Sequence, residues 1–358
     1  MDSFLLKNKE KLIGVGRKYP IRVNCNVGVT SSNNVPFELK KIDAIFASHE
    51  TSPDLMMDLS VGANHSILSK HIIENYNTPI GIVPIYSLFD KKKKISKSQL
   101  IDFISQQAEL GIAFFTLHLT ANLELLEIAK KERRIPITSR GGAITFCDTL
   151  KSKTKENILL ECLDEIILLA HKYDFAISLG TTFRPASIYD ACDTVHLLET
   201  KAQLDLCKYL QKKGIKTIVE NIGHIDLKKI QSHSKLLNKF NAPIMPLGPL
   251  PIDSGFQYDH IASAIGASFA GYYSGANIIN CITSKEHTNA KITIKDTLEG
   301  IKVAKIAARC VNVLNFKDIR EKEYEIYYSR AKNKSCILNQ TEGCSRCSVT
   351  CPLNIFIS

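Results

Sequence analysis

Cys344, Cys347 and Cys351 crowd into eight residues of the run Glu342-Gly343-Cys344-Ser345-Arg346-Cys347-Ser348-Val349-Thr350-Cys351-Pro352. The spacing C-x-x-C-x-x-x-C supplies three thiolates from one tight loop, with no fourth protein ligand close by. A structural zinc site wants four ligands in a closed tetrahedron, and His287 is too distant in sequence to be assumed as the missing one. Three cysteines suit a [4Fe-4S] cluster whose fourth iron stays open to a substrate or cofactor, and proline directly after the last cysteine also occurs in cluster-binding runs. A redox-active or incidental triplet is the plainer alternative. The other eight cysteines are scattered. Cys162 and Cys310 fall on the apolar faces of predicted helices, as a small hydrophobe would.

His224 and His287 each follow a strand-like run, in Glu220-Asn221-Ile222-Gly223-His224 and Ser284-Lys285-Glu286-His287. Two neutral imidazoles from nearby strand ends can hold a divalent ion with open positions; two ordinary surface histidines are the alternative. His260 is either another ligand or a helix N-terminal residue. Arg140 and Arg184 carry the fork geometry that grips a phosphate, and Gly141 and Gly142 let backbone approach a ligand closely.

Such residues need a scaffold, and one grammar repeats from about residue 20. A short β-branched or aromatic run is followed by a polar turn and then a helical pattern. The strand-like runs are 21–26, 55–59, 80–85, 113–118, 137–140, 175–180, 216–221, 243–248 and 278–283. Ile158, Leu159, Cys162, Leu163, Ile166, Ile167 and Ala170 share one predicted helix face, as do Val303, Ile306, Ala307, Cys310, Val311 and Leu314. This alternation predicts parallel α/β architecture, and the number of strands favours a closed (β/α)₈ TIM-type barrel over an open sheet. Function should then cluster at the strand ends, which present Asn26, Met57, Asp58, Tyr86, His118, Ser139, Arg140, Arg184, Glu220, Asn221, His224 and His287. The expected organisation is an N-terminal extension over 1–19, the barrel over 20–314, and over 315–358 a helical tether with a small Fe–S cluster loop.

Composition narrows the partners. The 358 residues are 44% hydrophobic and 23% charged, as in an ordinary folded enzyme rather than a disordered or fibrous chain. No apolar run is long enough to cross a membrane and no secretory signal is visible, so the expectation is a cytoplasmic protein with no membrane partner. Cysteines there are not read as disulfides. The net charge of +10 fits a phosphorylated small molecule. Nucleic acid is not expected, because Trp is absent and no basic stripe interleaved with aromatics occurs.

Met57-Asp58-Leu59-Ser60, Val83-Pro84-Ile85-Tyr86, Phe115-Thr116-Leu117-His118, Ser139-Arg140-Gly141-Gly142, Leu247-Gly248-Pro249-Leu250, Tyr258-Asp259-His260 and Lys285-Glu286-His287 occur in order along the chain. Together they resemble signature segments of the phosphomethylpyrimidine synthase superfamily, non-standard radical S-adenosylmethionine (SAM) enzymes. The resemblance runs from about Val23 to Leu314 and resumes at the terminal cysteines. It implies a (β/α)₈ barrel binding 5-aminoimidazole ribotide through Asn26, Met57, Tyr86, His118, Ser139, Arg140, Gly141, Arg184 and Glu220, with Glu220, His118 and Tyr86 catalytic. It implies a divalent metal, zinc or iron, on His224 and His287. It implies a [4Fe-4S] cluster on Cys344, Cys347 and Cys351, with SAM as the source of a 5′-deoxyadenosyl radical that starts ring expansion. A homodimer, whose cluster loop reaches the partner's site, and a reductant protein such as flavodoxin or ferredoxin follow from the same resemblance.

The departures from the family pattern are local. The second cysteine gap is one residue shorter than the family's C-x-x-C-x-x-x-x-C. Thr181 stands where the family has an acid, Met245 where it has a tyrosine, and Glu-Asn-Ile-Gly-His where it has Glu-Gly-Pro-Gly-His. The large N-terminal domain of thiamin-pathway members is expected to be missing. The implied reaction is rearrangement of the ribotide to the thiamin pyrimidine phosphate. The alternatives are 5-hydroxybenzimidazole synthesis for the cobamide lower ligand, and a non-catalytic ligand- or metal-binding paralogue.

Overall fold

A computed structural model describes residues 1–8, 11–62, 65–336 and 346–355. β1 (Ser3–Asn8) and β2 (Lys11–Gly16) form an antiparallel hairpin, pairing Ser3 with Gly16 and Asn8 with Lys11. Eight parallel strands follow: β3 (Arg22–Val27), β4 (Leu55–Asp58), β5 (Ile80–Ile82), β6 (Phe114–Leu117), β7 (Ala176–Leu179), β8 (Thr217–Asn221), β9 (Ile244–Pro246) and β10 (Ile278–Asn280). Their order is β10-β3-β4-β5-β6-β7-β8-β9. The ring is completed between β9 and β10 by Asn277, whose N–H donates to the Ile244 carbonyl (2.8 Å) while its side-chain oxygen accepts from Ile244 N (3.0 Å). The chain is therefore an α/β protein with a nearly closed TIM-type barrel. β4 through β10 are buried at every position, as expected for parallel strands covered on both faces.

Side chains, not space, fill the barrel. Phe114 and Phe115 are fully buried, and Gly81 makes room for one of them: a Cβ there would sit 2.1 Å from the Phe114 ring. The hairpin packs at the N-terminal ends of the strands, where Asn8 Nδ2 donates to Thr78 O (2.9 Å) and Arg22 Nε donates to Gly14 O (2.9 Å). The opposite rim is left to the βα-loops. Helix starts there are set by side-chain caps: Ser96 with Gln99 in a capping box, then Asn122, Ser139, Asn157, Asp193 and Asp226.

Two sequence expectations need correction. Residues 137–140 are not a strand: they run irregularly into Ser139, which caps the helix Arg140–Lys151 by accepting from Gly142 N (3.1 Å). A short apolar run cannot distinguish a strand from a loop leading into a helix. In the helix Ile294–Asn315 the buried face is turned from the expected one. Ile301, Ala304, Ala307, Ala308 and Val311 are buried, whereas Ile306, Cys310 and Leu314 are exposed, so of the expected face Ala307 and Val311 are buried and the rest of the buried side is supplied by other positions.

The chain divides into two compact units, residues 1–308 and 309–358. Within the second, the end of the helix Ile294–Asn315 is followed by the helix Lys317–Lys332, tied to it by Arg309 Nε to Glu323 Oε1 (2.5 Å). A single turn, Ser348–Thr350, and a short helix, Pro352–Ile355, follow. Among the described residues no helix is long and apolar enough to cross a membrane.

Candidate active site

The C-terminal ends of the barrel strands open into a cavity of about 330 Å³. Asn26, Met57, Tyr86, His118, Ser139, Arg140, Arg184, Glu220, His224 and His287 all line it. Of the residues expected to contact substrate or metal on the barrel, only Gly141 stays out of the wall. It lies directly behind it: a Cβ on Gly141 would be 2.0 Å from His118 Cε1, so glycine alone lets the helix Arg140–Lys151 begin against that imidazole.

Glu220, on β8, is buried and accepts from Thr116 Oγ1 (2.7 Å, β6) and Ser178 Oγ (2.9 Å, β7). Burial raises its pKa above the ordinary carboxylate value, while these two hydroxyls and the Arg184 charge pull the other way. His118 follows β6. Burial, with Arg184 nearby, drops its pKa to about 3, so the ring is neutral at physiological pH. Its Nδ1 is buried with no hydrogen-bond partner among the described residues. An orphaned polar atom beside a cavity is the kind of group a ligand satisfies. Tyr86 is buried beneath the Arg140 guanidinium, 5.5 Å from the ring centroid. Burial raises its pKa, with Arg140 and Arg184 opposing. Arg184 Nη2 donates to the carbonyl of Thr138, two residues before Arg140 (3.4 Å), and the Arg184 side chain also lines the cavity. The helix Arg140–Lys151 has no acidic residue in its first turn, so no carboxylate there offsets the positive end of its dipole, and Ser139 Oγ caps the Gly142 N–H.

In the same cavity wall the His224 and His287 rings lie with centroids 5.3 Å apart and their planes at 57°. His224 Nδ1 bonds Asp253 Oδ1 (2.7 Å) and His287 Nδ1 bonds Asp259 Oδ1 (2.9 Å). Each carboxylate fixes Nδ1 as the protonated nitrogen and leaves Nε2 as the ligand atom, the usual outer-sphere arrangement of a metal-binding histidine. Burial lowers the His224 pKa against the pull of Asp253, which keeps the ring neutral. Burial alone would raise the Asp253 pKa, but bonds from Ser187, His224 and Ile188 N–H hold it below the usual range. Local backbone strain aims His224: Ile222 takes φ 65° and Gly223 φ 144°. Ile222 N–H is held by Asn221 Oδ1 (2.6 Å).

His260 does not join this pair. It is the second residue of the helix Asp259–Tyr272, buried, with Nε2 3.6 Å from Glu299. Asp58 and Asn221, both at strand ends, turn away from the cavity. Asp58 accepts from Ser60 N (2.9 Å) and Ser69 Oγ (2.8 Å). Met245 lines the cavity wall, and Thr181 lies behind it, donating to the Glu220 carbonyl (2.6 Å). Sequence reasoning missed Asp253 and Asp259 as orienting groups, and Thr116 and Ser178 as partners of Glu220. The signal was partly present, because Asp259 lies inside the segment Tyr258-Asp259-His260 and Thr116 is two residues before His118.

Cys344 lies outside the described residues. Cys347 and Cys351 bracket the Ser348–Thr350 turn, closed by Thr350 N to Cys347 O (3.0 Å) and Cys351 N to Ser348 O (3.2 Å). Both are free thiols, carried at the two ends of this one turn.

A family model described as the Radical SAM ThiC family matches residues 4–342. The chain belongs to that family. It is 33% identical over 330 residues to a phosphomethylpyrimidine synthase of Carboxydothermus hydrogenoformans, covering 88% of this chain and 75% of that protein. A phosphomethylpyrimidine synthase of Thermotoga petrophila is 33% identical over 386 residues, covering 99% of this chain and 90% of the relative. A 5-hydroxybenzimidazole synthase of Desulforapulum autotrophicum is 32% identical over 329 residues, with 88% and 74% covered. Family membership makes the chain a radical SAM enzyme and implies a [4Fe-4S] cluster and SAM.

Proposed function

We propose that the chain is a radical SAM lyase that rearranges 5-aminoimidazole ribotide to 4-amino-5-hydroxymethyl-2-methylpyrimidine phosphate, the thiamin pyrimidine. One observation carries the reading: the strand-end residues gather in one cavity of a size suited to a small phosphorylated molecule, with the Arg140 and Arg184 guanidiniums and the His224 and His287 imidazoles all in its wall. Cys344, Cys347 and Cys351, in the appendage 315–358, would hold the cluster, which would supply the reducing electron for SAM cleavage. The chain's own residues do the rest. Arg140 and Arg184, with Ser139 and Gly141 at a helix N-terminus, hold the phosphate. Neutral His118 and buried Glu220 hold the ribose and the base, His118 Nδ1 gaining the partner it lacks. Tyr86, Asn26 and Met57 shape the wall and exclude water. His224 and His287 hold one divalent ion, zinc or iron, through Nε2. A small reductant protein and a second copy of the chain complete the working enzyme.

Met245 in the cavity wall, and the hydroxybenzimidazole-forming relative, favour a second reading in which the same ribotide yields 5-hydroxybenzimidazole. Complementation separates them. A thiamin auxotroph lacking its own pyrimidine synthase should grow without added pyrimidine when it carries this chain, and not when it carries Cys347→Ser. Growth that still requires the pyrimidine despite expressed, cluster-loaded protein overturns the first reading.

A further inference from the structure

A second group of ligand-type side chains lies outside the barrel wall, between β8 and the helices Thr194–Lys212 and Leu227–Leu237. Cys192 Sγ is 4.0 Å from His233 Nδ1, the His196 and His233 rings are 4.4 Å apart, and one ligand atom from each of the three residues lies within 4.8 Å of the others. None of the three belongs to the cavity.

The hydrogen bonds around this group dictate which imidazole nitrogens are exposed to an ion. Gln203 Nε2 donates to the Glu220 carbonyl (2.7 Å), so Gln203 Oε1 must be an acceptor, and Asn221 Nδ2 donates to it (2.7 Å). That fixes the Asn221 amide with Oδ1 on the other side. Oδ1 then accepts from both imidazoles, His233 Nε2 (2.7 Å) and His196 Nε2 (3.2 Å). An amide oxygen can only accept, so both rings carry their proton on Nε2 and both Nδ1 lone pairs are basic. One outer-sphere carbonyl therefore orients two histidines at once, as second-shell groups do in metal sites. Burial keeps both rings neutral: His196 sits at about 4 and His233 well below its ordinary value.

From this arrangement we infer that Cys192, His196 and His233 form a second metal site, taking Zn²⁺ with water as the fourth ligand. One thiolate and two imidazoles are a borderline-soft donor set that Zn²⁺ prefers and Mg²⁺ or Ca²⁺ does not. Zn–S of about 2.3 Å and Zn–N of about 2.0–2.1 Å place sulfur and nitrogen about 3.6 Å apart in a tetrahedron, so the 4.0 Å gap closes with small side-chain shifts. His196 Nδ1 now accepts from Cys192 N (3.1 Å) and trades that bond for the ion. Cys192, at φ 64°, stands on the turn that absorbs the adjustment. Binding releases the thiol proton. Asn221, the orienting group, stands where the family's Glu-Gly-Pro-Gly-His pattern has glycine.

The test uses the full chain, freed of metal, with Cys344→Ser and Cys347→Ser removing the cluster thiols. Titration with Co²⁺ should give a thiolate-to-cobalt charge-transfer band that Cys192→Ser and His233→Ala both abolish. Asn221→Gly should weaken the site about 10- to 100-fold. In the unmutated chain Zn²⁺ should slow alkylation of Cys192, followed by peptide mapping, and leave exposed Cys336 unaffected. A charge-transfer band that survives Cys192→Ser, or Cys192 alkylated equally fast with and without Zn²⁺, overturns the proposal.

Discussion

Gly141→Ala is a one-methyl change that separates folding from catalysis. The added Cβ would lie 2.0 Å from His118 Cε1 and 2.5 Å from each ring nitrogen. Unstrained carbon contacts need about 3.5–4.0 Å, so the imidazole must retreat by about 1.5 Å. Its backbone cannot follow, because His118 directly follows β6 and its carbonyl accepts from Asn157 Nδ2 (3.0 Å). The ring therefore rotates, with no bond at Nδ1 to hold it, and the open volume is the cavity. Overpacking costs about 1–3 kcal/mol, and alanine in place of glycine in a helix returns up to about 1 kcal/mol. The net destabilisation is then about 0–3 kcal/mol. A displacement of this size at a positioned group is worth about 10²-fold in rate. The variant should melt within a few degrees of the parent yet lose about 10²-fold in kcat/KM. Gly142→Ala is the control: its Cβ meets Thr182 Cγ2 at 2.6 Å and Thr182 Cα at 3.1 Å, so it should cost stability and far less activity. Parental kcat/KM in Gly141→Ala, or equal crippling of both variants, would refute the placement of His118.

Arg140→Ala and Arg184→Ala should each weaken ribotide binding by about 2–5 kcal/mol, read by calorimetry; unchanged affinity in both would place the phosphate elsewhere. His224→Ala and His287→Ala should each remove one equivalent of metal from the folded barrel, and Asp253→Asn should weaken that ion about 10- to 100-fold, with full metal content in both alanine variants as the contrary result. His118 also makes stability pH-dependent. Burial holds it at about 3 in the folded chain, against about 6.5 unfolded, so the unfolded state takes up that proton first and stability falls as pH drops below 6.5. Between pH 7.5 and 5.5 this term costs about 1.4 kcal/mol. In urea unfolding, His118→Gln should lose about that much less than the parent over the same interval, and identical losses would contradict a buried neutral imidazole.

The repeating apolar run, turn and helical pattern made the barrel legible, because parallel strands buried on both faces leave nearly continuous apolar segments. The same rule misled at 137–140, where Ile137 looks like a strand residue but leads into a capped helix. Residue type at strand ends brought Arg140, Arg184, Glu220, His224 and His287 onto one list, and the structure sets them around one cavity. What a linear reading could not supply was pairing across the ring. Asp253 and Asp259 meet their histidines from 29 and 28 residues away, and Thr116 meets Glu220 from 104. Asn221 shows the limit most clearly. Residue type and strand-end position put it on the rim, but alternation along β8 sends Glu220 inward and Asn221 outward.

The most direct measurement is a single anaerobic incubation of the cluster-reconstituted chain with 5-aminoimidazole ribotide, SAM and a reductant, with products resolved by mass. The account predicts ribotide consumption matched by the aminohydroxymethylpyrimidine phosphate and by 5′-deoxyadenosine, all lost in Cys351→Ser. Untouched ribotide in the presence of an intact, reducible cluster, or 5-hydroxybenzimidazole as the product, would contradict it.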